Sequence, residues 1–175
     1  ATHAFVLHII YLLFNEGYYS TTKYQILRKD FCMEALRLGL MLTDYSKTNL
    51  PKTNALVALM SFHASRLESR QNPDNGIILY EEQDENLWDQ NLIEQGICFL
   101  NLSAQGDTLS SYHLEAGIAF WNCQKEDTKE KREAILHHYN LLLEINYAPG
   151  VALNRVYALY KASGKEIALI EAEKL

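Results

Sequence analysis

Between Phe5 and Phe14 the chain is apolar at almost every position, and the run then stops at Asn15, Glu16 and Gly17. Phe5, Val6, Leu7, Ile9, Ile10, Leu12 and Leu13 leave no broad polar face, which is the pattern of a helix covered on several sides. A helix from about Ala4 to Asn15 is therefore expected at the centre of the fold. Gly17 would end it in the left-handed conformation, and Tyr18 to Thr22 would be a connection. The run is far short of the ~20 apolar residues that span a bilayer, so no membrane association is expected. His8 reads as a hydrogen-bonded core or boundary residue, because no second ligand follows at helical spacing.

Helical periodicity recurs down the rest of the chain. Phe31, Ala35, Leu38 and Leu42 form one stripe of a helix expected from Ile26 to Thr43. Pro51 suits the first turn of a third helix, whose apolar stripe is Leu56, Leu59, Met60, His63 and Leu67. Arg66 and Arg70 adjoin His63 on that helix, so two guanidinium groups are aimed toward carboxylates elsewhere. The stretch Asn72-Pro73-Asp74-Asn75-Gly76 is turn chemistry. Ile77 to Tyr80 reads as an extended piece packed on helices, since no second strand-like run is available to pair with it.

Asp84 suits the N-cap of a fourth helix carrying Leu87, Trp88, Leu92, Ile93, Ile97 and Leu100. A fifth follows Gly106-Asp107, capped by Ser110 or Ser111, with Leu114, Ile118 and Trp121 inward. A sixth follows Asp127-Thr128 and ends near Asn146. Pro149 opens a seventh, reaching about Ala162, and Ser163-Gly164 turns the chain into a last helix. Helix, Pro-bearing turn, helix and Gly turn are the cadence of tetratricopeptide-type stacks with a period of about 34 residues. Leu36 to Arg66 and Leu141 to Lys161 repeat it. The expected fold is all-α: stacked antiparallel helical hairpins in a tetratricopeptide-like right-handed superhelix over residues 1–175.

At 175 residues and 48% apolar, the chain can bury one real core. A formal charge of -6 argues against a nucleic-acid face spread over the whole chain, because phosphate binding needs clustered Lys and Arg, and leaves room only for a local basic face. Cys32, Cys98 and Cys123 are odd in number and widely spaced, so they read as reduced core thiols of a cytoplasmic protein. No metal-ligand spacing is present, and no metal or cofactor is expected. His137-His138 reads as solvated surface on a charged helix. The start at Ala1, without an initiator Met or a signal-peptide plan, reads as a cut inside a longer protein.

Six segments in order resemble the C-terminal accessory extension of one group of extracytoplasmic-function sigma factors, the small sigma-70-family initiation factors of bacterial RNA polymerase. They are YLLFNEGY at Tyr11 to Tyr18; the run with Arg28, Asp30, Glu34, Ala35 and Arg37-Leu38; LVALMSFHASR at Leu56 to Arg66; EEQDENLWDQNLIEQG at Glu81 to Gly96; YHLEAGIA at Tyr112 to Ala119; and VALNR at Val151 to Arg155. The resemblance implies a regulatory protein-interaction domain acting in transcription initiation. Its partners would be the sigma core in cis and RNA polymerase, with promoter DNA reached through N-terminal regions that this sequence lacks. It also implies that helical repeats continue past Ile167 to Leu175, so that Ile167, Leu169 and Ile170 form an uncovered edge able to pair copies in a crystal. A free-standing helical-repeat scaffold is the alternative, and a hydrolase ranks third.

The segments are rich in polar residues beside apolar stripes. Asn15, Glu16, Arg28, Asp30, Glu34, Arg37, His63, Arg66, Arg70, Asp84, Trp88 and Asp89, with Gln83 and Glu94, form the candidate set. Two readings stay open. In one, a semi-buried charge network fixes the register of the first four helices, with Glu16 and Asp84 accepting from arginines. In the other, the same cluster is a cleft or docking contact with Trp88 as an anchor. No residue is assigned a catalytic role, since neither a nucleophile elbow nor a metal-ligand spacing is present.

Overall fold

Small residues decide which helix is central. In the third helix Ala55, Ala58, Ser61, Ala64 and Ser65 alternate with Leu56, Leu59, Met60 and Phe62, so neighbours approach from every side and all of Thr53 to Phe62 is buried. The hydroxyls of Ser61 and Ser65 donate back to Val57 O and Phe62 O at 2.8 and 2.6 Å, which satisfies them inside the core.

The computed structural model describes residues 2–19, 28–74 and 76–175. Its helices are α1 (Thr2–Tyr18), α2 (Lys29–Thr43), α3 (Pro51–Ser65), α4 (Gln90–Ser103), α5 (Ser111–Trp121), α6 (Lys129–Ile145), α7 (Pro149–Ser163) and α8 (Lys165–Ala172). Three 3-10 turns, Leu67–Arg70, Tyr80–Glu82 and Glu85–Leu87, lie between α3 and α4. Among the described residues the chain is all-helical, and the β-pairing is limited to one isolated bridge between Gln71 and Ile77. No described helix is long and apolar enough to cross a membrane. The expected connection beyond Tyr19, the start of the second helix before Arg28, Asn75 and Ala1 lie outside the described residues.

α3 packs against α2, α4 and α5 and touches α1, which itself packs mainly on α2; from α5 onward each helix packs on the next. α5 serves two cores. Tyr112, Ala116 and Ala119 join the α1–α4 core, whereas Leu114 and Ile118 join Leu142, Ile135 and Val151 in a second one.

The expectation of a central first helix is corrected here. Leu7, Ile10 and Phe14 are buried, but Phe5, Ile9 and Leu12, on the opposite face, are 64%, 48% and 52% exposed. α1 is an edge helix with apolar residues on both faces and cover on one. His8 is exposed as well. Gly17 is not a left-handed cap: it lies within α1, where a Cβ would stand 2.5 Å from Arg28 O. Its service is close approach, and the positive-φ glycine among those described is Gly164, at the α7–α8 turn.

Local signals place most other boundaries. Pro51 and Pro149 open α3 and α7, and the Thr128 side chain accepts from Lys131 N at 3.1 Å. Ser110 caps α5 in a reciprocal box with His113. The fourth helix starts later than expected. Asp84 accepts from Asn86 N and caps a 3-10 turn, while Asp89, accepting from Leu92 N, caps α4 itself. Cys32 is buried and Cys123 half-buried, but Cys98 is exposed. His138 departs from the solvated-surface reading: it is half-buried, and its ring sits where a Cβ on Gly117 would reach.

Candidate functional site

The polar residues converge where α3 ends and the chain turns through Leu67–Arg70. One turn of helix separates His63 from Arg66, and the 3-10 turn carries Ser69 and Arg70 onward from it, so all four project from one short stretch. Two neighbourhoods form around them.

On the α1 side, a cavity of about 20 Å³ is lined by Tyr11, Asn15, Tyr19, His63 and Glu115 with Phe14, Leu59 and Met60. This volume holds about one water molecule. Tyr11 Oη donates to Glu115 Oε2 at 2.9 Å. Burial pushes the Glu115 carboxyl above the usual range, opposed by that hydrogen bond, and pushes the Tyr11 phenol up too. His63 is driven well below the ordinary histidine value by burial, then by the charges of Arg66 and Arg70, so its imidazole is neutral at pH 7. Its Nδ1 is buried without a hydrogen-bond partner among the described residues. Arg70 leaves this cavity and lies on Tyr18, its Cζ 3.8 Å from the ring centre, while Nη1 donates to Tyr18 O at 3.0 Å.

On the other side, the segment 77–89 runs across Arg66 as a strap. Trp88 is 4% exposed, and its Nε1 donates to Ser69 Oγ at 3.0 Å. Arg66 Cζ stands 5.4 Å from the Tyr80 ring centre and 5.9 Å from that of Trp88. Lys125 Nζ donates to the carbonyls of Tyr80, Glu81 and Gln83 at 2.9, 3.1 and 2.9 Å, which fastens the strap to the start of the α5–α6 connection. Lys131, 5% exposed, donates to Tyr80 Oη at 2.9 Å.

The candidate set therefore separates. His63, Arg66, Arg70 and Trp88 come together, and Asn15 lines the cavity beside His63. Arg28 with Asp30 at the start of α2, and Glu34 with Arg37 along it, are exposed pairs of their own, although Lys29, between the first two, reaches Glu68 of the 3-10 turn at 2.6 Å. Glu16 is exposed. The expectation that Glu16 and Asp84 accept from arginines is corrected: Asp84 caps a 3-10 turn, Asp89 caps α4, and no described carboxylate reaches Arg66 or Arg70. The arginines rest on aromatic rings instead, because Tyr18, Tyr80 and Trp88 occupy the space around them. Trp88 is the strap's own buried side chain, turned in onto Ser69, which removes it as an exposed anchor.

Sequence reasoning left out Tyr11, Glu115, Tyr18, Tyr80, Lys125 and Lys131. Glu115 carried a signal, a carboxylate inside the otherwise apolar LEAGIAF. Lys131 carried none: within Lys129-Glu130-Lys131-Arg132 nothing local separates the buried lysine from its more exposed neighbours. Among the described residues no group of three His, Cys, Asp or Glu side chains is arranged to hold a metal.

Residues 3–104 match the model of a family described as a family of unknown function (DUF6596). An uncharacterized protein of Rhizobium meliloti (strain 1021) is 31% identical over 173 residues, 98% of this chain and 41% of that protein. The chain thus spans less than half the length of this curated relative. No solved structure matches it.

Proposed function

We propose that this chain, which belongs to the family of unknown function DUF6596, is a protein-docking module of a longer transcription factor: the accessory domain of an extracytoplasmic-function sigma factor. Its helical hairpins stack in this reading as a tetratricopeptide-like right-handed superhelix, and it regulates initiation by packing on the sigma core or on RNA polymerase. Promoter reading belongs to other regions of the same protein. The cytoplasm is the matching location.

One observation carries the docking reading. Both ends of the helix stack present apolar side chains to solvent: Phe5, Ile9 and Leu12 on α1, and Leu153, Tyr157, Ile167, Leu169 and Ile170 on α7 and α8. Faces of this kind mark protein contacts. The matched residues 3–104 hold four of the six sigma-like segments. The length of the relative is in keeping with a module of a larger protein.

Removing the domain from the full-length factor and measuring promoter-directed transcription tests the proposal. Altered output or altered response to signal is expected, and unchanged values of both would end it. A free-standing scaffold is favoured instead if the reading frame encodes no promoter-binding regions; the roughly 400 Å³ apolar groove between α7 and α8 suits that alternative.

A further inference from the structure

Arg66 is the most unusual charge in the molecule. It is 6% exposed, yet its side chain forms no hydrogen bond and no ion pair among the described residues, and its Nε is sealed from solvent. Buried charges are normally paired. The ring faces of Tyr80 and Trp88 compensate part of that cost.

Its surroundings add positive charge rather than removing it. Lys125 and Lys131 also stand over Tyr80, at 5.3 and 5.0 Å from the ring centre. All three protons of Lys125 are spent on strap carbonyls, whereas Lys131 uses two, on Tyr80 Oη and Gln124 O, and keeps one. Two carboxylates stand near the rim of the cluster among the described residues, and both are engaged: Asp127 by Lys161 at 3.0 Å and Arg132 at 3.5 Å, and Glu81 by the Tyr157 hydroxyl at 3.2 Å. Burial first, and then the charges of Arg66, Lys161 and Lys125, against the opposing pull of Asp127, hold the Lys131 ammonium below the usual lysine range. A local cationic excess therefore sits in a chain whose net charge is -6.

We propose that Arg66, with Lys131 beside it on Tyr80, is the seat for a carboxylate carried by an acidic segment of a partner protein. Nε is sealed, whereas Nη1 and Nη2, unpartnered among the described residues, carry some exposure, so the outer edge of the guanidinium offers a narrow opening to an incoming group. A planar fork matches a carboxylate in two parallel hydrogen bonds. The single free proton of Lys131 completes a site for one negative charge. The acidic remainder of the chain, with its net charge of -6, disfavours a dianion such as phosphate relative to a single carboxylate. The proposal rests on the docking reading above, but it is tested without polymerase or promoter, so the two fail separately.

The test is a titration of the 175-residue chain with hexaglutamate, followed by NMR on the arginine Nε–Hε signals; the sealed Arg66 Nε gives a slowly exchanging resonance. A saturable movement of that signal is expected with hexaglutamate and none with hexaglutamine at the same ionic strength. Arg66→Gln weakens binding about tenfold or more, and Lys131→Gln by about threefold, as loss of charge-assisted hydrogen bonds implies. An Arg66 signal that stays still while hexaglutamate is added overturns the proposal, and this reading on the unaltered chain holds even if a variant fails to fold. Saturation by inorganic phosphate at a lower concentration than by the peptide overturns the carboxylate assignment.

Discussion

Gly96 is where α4 comes closest to α3, and adding one methyl group there tests how tightly the centre is built. A Cβ at this position would stand 2.5, 2.7 and 2.9 Å from three ring carbons of Phe62. Phe62 is fully buried and meets Phe120 edge-on with ring centres 5.9 Å apart, so its ring has no free space to retreat into. Replacing glycine by alanine in a helix interior gains about 1 kcal/mol from propensity. Overpacking a rigid core costs roughly 1–3 kcal/mol, and a contact this short at an immobile ring belongs at the upper end. Gly96→Ala should therefore destabilise the fold by about 2 kcal/mol net, lowering Tm by roughly 4–8 °C for a chain of this size. Thermal unfolding followed by far-UV circular dichroism reads the change. In a Phe62→Leu background the clash is relieved, and the same substitution should become neutral or stabilising, which a double-mutant cycle reports directly. A Gly96→Ala chain as stable as the parent would show that α3 and α4 are not held at this separation.

Trp88→Phe keeps an aromatic ring on the inner side of the strap but deletes the donor to Ser69, and should cost about 1–2 kcal/mol in urea unfolding. Lys125→Met removes three hydrogen bonds to strap carbonyls and should raise amide exchange across residues 77–89 while α1 to α3 stay protected. His63 binds its proton less readily folded than unfolded, so the unfolded chain takes up more protons as pH falls below about 6.5 and stability drops on that side. His63→Phe should flatten that acid-side loss in denaturation curves measured between pH 7 and pH 4.5. Glu115 behaves oppositely: its raised folded value means stability is lost as pH rises through it, a slope that Glu115→Gln should abolish.

Helix boundaries were legible in the sequence wherever a cap or a proline acts within one turn, as at Pro51, Ser110, Thr128, Pro149 and Gly164. The identity of the central helix was not, since apolar content points to α1 while burial follows from the alternation of alanine, serine and leucine that lets four neighbours close on α3. Spacing alone placed His63, Arg66 and Arg70 together. It did not reveal what they meet, because Tyr18, Tyr80 and Trp88 arrive from segments distant in sequence, and aromatic faces took the place expected for carboxylates. The strap between α3 and α4 was only partly legible: its turn residues stand out, but two aspartates five positions apart both suit a cap, and local chemistry does not rank them.

The match to the family stops at residue 104, where α4 has just ended. Yet Tyr112, Ala116 and Ala119, which close the wall of the first core, belong to α5. Kinship in sequence and cooperativity in folding are therefore cut at different places: a piece trimmed to the matched residues would leave the flank of α3 open to water. The smallest autonomous unit has to run at least to Trp121, and α5, having a second apolar side, then hands the later helices a surface on which to build.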